Sequence, residues 1–322
     1  MISLAVCIGA FVLDVLLGDP VNWPHPIRWI GNTISRSEKM LRRWFTSPAQ
    51  LYIAGGLLWI MVVGASAAVT WFAIWAAFQI HWLAGSVLQL WLAFTVLAGK
   101  CLQDCALDVL EPLRRGDIAE ARIKLSYIVG RDTRSLDNEQ MTRATVETVA
   151  ENTVDGIIAP LFYLFIGGVP LAMAYKAVNT LDSMVGYRNE RYRELGCVSA
   201  RIDDVANFIP ARLTWLLFSA AAWLQKQDYK AAFVIGWRDR YQHKSPNCAW
   251  SEAAVAGALG IRLGGPNQYF GEWVAKPWIG DAKRAIEAED IVRSIRLMKA
   301  AAWIALVLFS ACYLLWSFLP VN

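Results

Sequence analysis

Apolar stretches fall at about residues 2–17, 51–78, 82–99, 157–175, 205–224 and 300–319, and polar segments at 18–50, 100–156, 176–204 and 225–299 alternate with them. The stretches at 51–78, 82–99 and 300–319 each reach the roughly 18 or more apolar residues that a bilayer crossing requires. The first stretch is short and carries Asp14, which weakens it as a span. Gly167-Gly168-Val169-Pro170 breaks 157–175 into two halves of about ten residues, the length of re-entrant segments. Pro210 and Arg212 shorten the clean apolar part of 205–224 to about twelve residues, so it too reads as buried or interfacial. The polar segments are too long for turns and are rich in helix formers, with few strand signals. The pattern predicts an all-α polytopic integral membrane protein, with residues 1–322 as a single integral membrane domain. It has about four to six membrane segments, some of them re-entrant, and large helical loops. The alternative is that 157–175 and 205–224 are an ordinary pair of spans, with 176–204 on the opposite side.

Composition strengthens the membrane reading. Hydrophobic residues make up 56% of 322 positions and charged residues 18%, against about 25% charged in ordinary soluble domains. Several of the 16 tryptophans, among them Trp82, Trp91, Trp303 and Trp316, lie near the ends of apolar runs, as in an interfacial aromatic belt. A net charge of +4 gives no case for nucleic acid, which calls for a basic stripe in a distinctly basic domain. The cysteines, Cys7, Cys101, Cys105, Cys197, Cys248 and Cys312, form no CxxC pair and no cluster of metal-ligand spacing, and read as reduced structural thiols. The N-terminal run lacks a basic leader and passes into Gly18-Asp19-Pro20, so it reads as retained.

Basic residues orient the chain. Arg28, Arg36, Lys39, Arg42 and Arg43 crowd the segment 18–50, and Lys283, Arg284, Arg293, Arg296 and Lys299 precede the last span. The positive-inside rule puts both on the cytoplasmic side. With crossings at 2–17, 51–78, 82–99 and 300–319, loops 18–50 and 100–299 are then cytoplasmic.

Three constellations place ionisable residues where a membrane protein would avoid them. Asp14 and the run from Gly18 to Arg28 hold Asp19, His25 and Arg28 in a loop stiffened by three prolines. This is either a rigid substrate holder or a turn at headgroup level. Glu151 and Asp155 stand at i, i+4 before the broken segment, which turns both carboxylates one way on a helix and suits Mg²⁺ with a phosphate cargo. Arg131, Asp132, Thr133 and Arg134 lie upstream; a helix cap with a surface ion pair is the plain alternative. Lys176, Asn179, Asp182 and Ser183 give one helix a polar stripe, followed by Arg188, Arg191, Arg201 and the Asp203-Asp204 pair. This is the best candidate for a nucleotide-phosphate and metal site, with a solvated loop as its alternative. A lesser cluster, Arg238-Asp239, His243 and Ser245-Pro246-Asn247, precedes a small-residue helix around Gly257. The chain has no GxxxxGK[ST], GxGxxG or HExxH motif, so ATP use would rest on a site without a standard P-loop.

GDPVNWPHPIRWIG, ENTVDGIIAPLFY, YKAVNTLDSMVGYRNERYRELG running into ARIDDVANFIPARLT, and SPNCAWSEAAVAGALGIRLGG occur in that order along nearly the whole chain. Together they resemble the adenosylcobinamide-phosphate synthase family (CobD/CbiB). The resemblance implies ATP-dependent condensation of adenosylcobyric acid, a corrinoid, with (R)-1-amino-2-propanol phosphate in cobalamin biosynthesis. A carboxylate is a poor electrophile, so amide formation is expected to pass through an acyl phosphate made from Mg·ATP. On that reading Glu151, Asp155, Asp182, Asp203 and Asp204 are candidate Mg²⁺ ligands. Lys176, Asn179, Arg188, Arg191 and Arg201 bind the nucleotide phosphates, and Asp19, His25, Arg28 and Asp182 position substrates or take the amine proton. The expected setting is the cell inner (cytoplasmic) membrane, with the active site facing the cytoplasm. Self-association and docking with other cobalamin-assembly enzymes are both left open.

Three rival classes fit parts of the pattern. Broken apolar segments with charge also mark transporters. Asn179, Asp182 and the later acidic pair would suit an Mg-dependent intramembrane prenyltransferase, and a non-catalytic sensor would keep the fold alone.

Overall fold

A computed structural model describes residues 3–19, 23–187, 189–269 and 272–318. The first helices are α1 (Leu4–Leu17), α2 (Pro26–Trp44), α3 (Pro48–Ile80), α4 (Trp82–Phe94), α5 (Gly99–Arg115), α6 (Ile118–Ser126) and α7 (Asn138–Thr153). A π-helical turn, Val154–Ile158, leads to α8 (Ala159–Val185), α9 (Cys197–Ala206), α10 (Phe208–Leu224), α11 (Tyr229–Arg238), α12 (Cys248–Leu259) and α13 (Glu289–Phe318). The strands among the described residues are short: β1 (Leu263–Gly264), β2 (Asn267–Tyr269), β3 (Glu272–Val274) and β4 (Trp278–Ile279). β1 pairs antiparallel with β4, and β2 with β3.

Among the described residues four helical stretches are long and apolar enough to cross a membrane: Pro48–Ile80, Trp82–Arg115, Asn138–Val185 and Glu289–Phe318. α9 and α10 taken as one span would make a fifth. The all-α, multi-pass form expected from the hydropathy pattern is therefore present. α1 has 14 residues and a length of about 21 Å at 1.5 Å per residue, short of a hydrocarbon core of about 30 Å. Large apolar side chains on α3 (Ile53, Ile60, Val69, Trp71 and Phe72) and on α13 (Val307, Leu315 and Trp316) face outward, as lipid contact requires.

Two segments, 82–99 and 205–224, differ in detail from the hydropathy reading, and the break in a third falls where that reading put it. The apolar run 82–99 is not one helix: α4 ends at Phe94, and a turn covers 95–98. There Thr95 Oγ1 donates to Leu92 O at 2.9 Å while Val96 and Leu97 are buried. Hydropathy counts the buried turn residues as if they were helical. In α8 the break falls at Gly168, whose φ of 68° and ψ of −165° only glycine adopts easily, and Pro170 follows. α10 begins at Phe208, so Pro210 sits in the first turn, where its missing N–H costs no helical bond.

The chain forms two compact units. One comprises residues 1–98, 159–207 and 308–322, the other 99–158 and 208–307. In the first, α3 packs against α8, α4, α2 and α9. Its start is fixed by Pro48 and a capping box in which Gln50 N–H donates to Ser47 Oγ and Ser47 N–H to Gln50 Oε1 at 3.2 Å. Gly55 lies against the carbonyl of Leu195, where a side chain would have no room. α2 is amphipathic: Ile30, Ile34 and Leu41 are buried, while Arg28, Arg36, Lys39 and Arg43 are exposed.

The second unit is built around α12, whose residues Ala249 to Leu259 are all buried. It packs on α11, α10 and α7. Small residues permit this closeness: the backbone at Ala231 occupies the space where Gly257 would carry a Cβ. Gly260 ends the helix in the left-handed conformation. Trp215 stacks on Phe233 with centroids 4.6 Å apart and meets Trp250 at 5.1 Å. α7 starts at a second capping box, with Gln140 N–H donating to Asp137 Oδ1 at 2.8 Å and Asp137 N–H to Gln140 Oε1 at 3.0 Å.

Candidate functional site

The second unit encloses a cluster of ionisable groups. α7 contributes Glu147 and Glu151 one turn apart, and the π turn adds Asp155. Arg131, His243 and Lys276 come from loops, and Cys248 and Glu252 from α12. Glu147 and Glu252 are each only 5% exposed. Arg131 Nη2 donates to Glu147 Oε2 at 2.5 Å, and the Gly264 N–H donates to Glu147 Oε1 at 2.7 Å, so both oxygens of Glu147 are engaged. The Cys248 thiol donates to Glu151 Oε1 at 3.0 Å. Glu252, by contrast, makes no hydrogen bond among the described residues.

The electrostatics follow from this burial. The Glu252 carboxyl is held well above the usual carboxylate range, first by burial and then by the charges of Glu147 and Glu151. Lys276 and Arg131 pull the other way. Burial likewise pushes the Cys248 thiol well up, and the negative charges of Glu151, Glu252 and Asp155 add to it. Glu151 lies at the end of α7 and Asp155 in the π-helical turn that follows it. His243 is shifted down, chiefly by burial and also by Lys276, against the opposing charges of Glu151 and Glu147. Its Nδ1 accepts the Ser245 N–H at 3.1 Å. The set can hold a cation, bind an anion through Lys276 and Arg131, or exchange protons among groups displaced toward neutral forms.

The first unit holds the other groups. His25 Nε2 donates to Asp19 Oδ1 at 3.1 Å, and Arg28 opens α2 with an exposed side chain. Half-buried Lys176, Asn179 and Asp182 lie along α8. Asp182 Oδ1 lies over the Cα of Gly186, in space that a Cβ there would claim. Asp203 is buried and accepts from Asn207 Nδ2 at 3.0 Å, and Asn207 Oδ1 accepts from Tyr175 Oη at 2.9 Å. Tyr163 stacks on Tyr175 with centroids 4.9 Å apart, and its hydroxyl donates to Ala206 O at 2.8 Å. Arg191 and Arg42 converge on buried Glu38, at 3.2 and 2.9 Å, and Arg42 Nη2 also donates to Arg191 O at 2.6 Å. Asp204 is half-buried and Arg201 exposed. Arg188 and the stretch 20–22 of the proline-rich loop lie outside the described residues. Among the described residues no three His, Cys, Asp or Glu side chains converge in a metal-holding arrangement.

A family model described as CobD/Cbib protein matches residues 7–298. The chain belongs to the CobD/CbiB family. It is 63% identical over 311 residues to the "Cobalamin biosynthesis protein CobD" of Citrobacter koseri, covering 97% of each chain. It is 62% identical over 317 residues to the "Cobalamin biosynthesis protein CbiB" of Salmonella arizonae, covering 98% of this chain and 99% of that one. The corresponding CobD protein of Klebsiella pneumoniae is 60% identical over 309 residues. No solved structure matches at a significant level.

Within this CobD/CbiB chain the structure pairs Asp19 with His25 and brings Glu151 to Cys248. It engages Arg191 with Glu38, and Asp203 with the Tyr175–Asn207 relay. Sequence reasoning missed Glu147, Glu252 and Lys276 altogether. The signal for Glu252 was available: it is the one acid in an otherwise small and apolar helix, CAWSEAAVAGAL. Such a residue in a buried helix asks for a purpose. Glu147 stands four residues before Glu151 and extends the acidic face by a turn.

Proposed function

We propose that this chain acts in cobalamin biosynthesis as a membrane-bound ligase. It joins (R)-1-amino-2-propanol or its O-phosphate to the carboxylate of adenosylcobyric acid, with ATP consumed. The observation that carries this reading is the near end-to-end match, at 60–63% identity, to chains named for cobalamin biosynthesis. The enclosed acid, guanidinium, ammonium and thiol groups of the second unit support an enzyme over a passive anchor.

The chemistry runs in two steps. A carboxylate oxygen of the corrinoid takes the terminal phosphoryl group of ATP, releasing ADP and forming an acyl phosphate. The neutral amine then attacks the acyl carbon, phosphate leaves, and the ammonium proton passes to a protein base. Mg²⁺ bound to nucleotide keeps several waters and needs one or two carboxylates. Half-buried Asp182 on α8 and Asp204 on α9 are the carboxylates proposed to supply them, with Lys176 and Asn179 on the helix of Asp182 to meet phosphate oxygens. Asp203 suits that role less well, because it accepts from Asn207 inside a buried relay. When bound, the metal would neutralise phosphate charge. Arg28 and the Asp19–His25 pair remain the residues proposed to position substrate. The setting proposed is the inner membrane, with these groups facing the cytoplasm, where nucleotide is available and where the basic flanks point.

The test is direct. Purified protein in detergent, given adenosylcobyric acid, Mg·ATP and the amine or its phosphate, is expected to yield the amide and ADP in equal amounts, read by mass spectrometry. No amide with either amine, or uptake of corrinoid into proteoliposomes without conversion, would overturn the ligase reading.

A further inference from the structure

The enclosed cluster of the second unit contains more acid than fixed positive charge. Arg131 is engaged with Glu147 at 2.5 Å, and the second oxygen of Glu147 takes the Gly264 N–H. Glu151 is met by a thiol, a weak donor. Glu252 is 95% buried, makes no hydrogen bond among the described residues, and stands one turn after Cys248 on α12, on the side where that thiol meets Glu151. A buried carboxyl short of partners costs about 1–3 kcal/mol. The Glu252 oxygens are not fully shut off from solvent, so they border a space where a ligand can complete them.

The missing partner is compact, cationic and rich in donors. A primary ammonium carries one positive charge and three N–H donors in a small head. Those suffice for Glu252, for Glu151 in place of the weak thiol bond, and for one further acceptor. We propose that Glu252 and Glu151 form the subsite that binds the primary ammonium of the amine substrate. The inference rests on the amide-forming reading above and gives one of its substrates a place. An arriving cation stabilises the ionised form of Glu252, which burial and its acidic neighbours otherwise disfavour. If the amine carries an O-phosphate, Lys276 supplies a charge of the opposite sign in the same cluster.

The full-length protein in detergent tests this with the amine, its O-phosphate and 1,2-propanediol, which lacks the cation. Calorimetric titration of the wild type is expected to detect at least one of the two amines and not the diol. Glu252→Gln is expected to weaken amine binding, and to raise the amine KM, by about tenfold or more, the loss of one charge-assisted bond. The KM values for corrinoid and ATP should stay within about twofold, a split that general damage to the fold would not give. If Glu252→Gln fails to fold, Glu252→Asp keeps the charge but withdraws it, and a raised amine KM in that variant supports the subsite. Unchanged amine KM in whichever variant folds, or binding of the diol as tight as that of the amine, overturns it. A wild type that makes no amide at all would instead sink the ligase reading, so the two failures are distinguishable.

Discussion

The Cys248 thiol donates a hydrogen bond to Glu151 Oε1 across 3.0 Å, joining α12 to α7 beside a carboxyl that has no such bond. A thiol so placed beside negative charge keeps its proton, and its reactivity is low because the thiolate is the nucleophile. Cys248 is therefore expected to resist alkylation by a maleimide at pH 8 in folded protein and to react once the protein is unfolded. Glu151→Gln removes one of the charges that raise the thiol, so Cys248 should then be alkylated faster. Peptide mapping by mass spectrometry after timed labelling reads both outcomes. Equal rates in wild type and variant would show that Glu151 does not control the thiol.

Glu252 makes a pH-dependent prediction whose sign is opposite to that of a salt-bridged acid. Its carboxyl is raised in the folded state, so its favourable contribution is fully present below the ordinary value of about 4.5 and is lost as pH climbs toward the raised folded value. Glu252→Gln has no such loss. Without ligand the variant is expected to melt at higher temperature than wild type near pH 7–8, with the difference shrinking toward pH 5. Thermal melts across that range in one detergent check it; a gap that widens on acidification would contradict the argument.

The Arg131–Glu147 pair is enclosed on both sides, with side chains 11% and 6% exposed. Removing one member leaves the other as an uncompensated buried charge, which costs about 3–5 kcal/mol. Arg131→Ala should therefore lower stability severely. Arg131→Ala combined with Glu147→Gln should recover part of the loss, because the orphaned charge is gone. Chemical denaturation of the two variants compares them, and a double variant no better than the single would mean that the Gly264 bond or packing matters more than the charge.

The fold was legible where length alone decides. α3 and the C-terminal part of α13 are long apolar runs without a break, and the kink at Gly168 was visible as Gly-Gly-Val-Pro. The turn after α4 was not legible, because Val96 and Leu97 are as apolar in a buried turn as in a helix. Nor were the strand pairs between Leu263 and Ile279, each strand being two or three residues long. In the candidate site, spacing along the chain singled out Glu151 and Asp155 but not the residues packed around Glu151. Partners brought together by tertiary packing left no local trace: Arg191 meets Glu38 across 153 residues of sequence, and Glu147 meets the Gly264 N–H across 117. Glu252 stayed hidden because a single acid in an alanine-rich helix forms no motif.

The 33 residues of α3 have a wider consequence. At 1.5 Å per residue the helix is about 50 Å long, against a hydrocarbon thickness of about 30 Å. A surplus of about 20 Å must be taken up by tilt or by projection into water. Trp71 and Trp75, stacked with centroids 6.4 Å apart near the C-terminal end, together with exposed Trp82 just beyond it, moor that end at the headgroup boundary. Tilt shortens the reach of the helix only modestly. From Trp75 back to Pro48 the helix runs about 40 Å at 1.5 Å per residue, and outward-facing Ile53 and Ile60 keep most of that length suited to lipid. The corner where α2 turns into α3, carrying Arg42, Arg43 and the Ser47 cap, is thereby expected at headgroup level, with the basic face of α2 within reach of lipid phosphates.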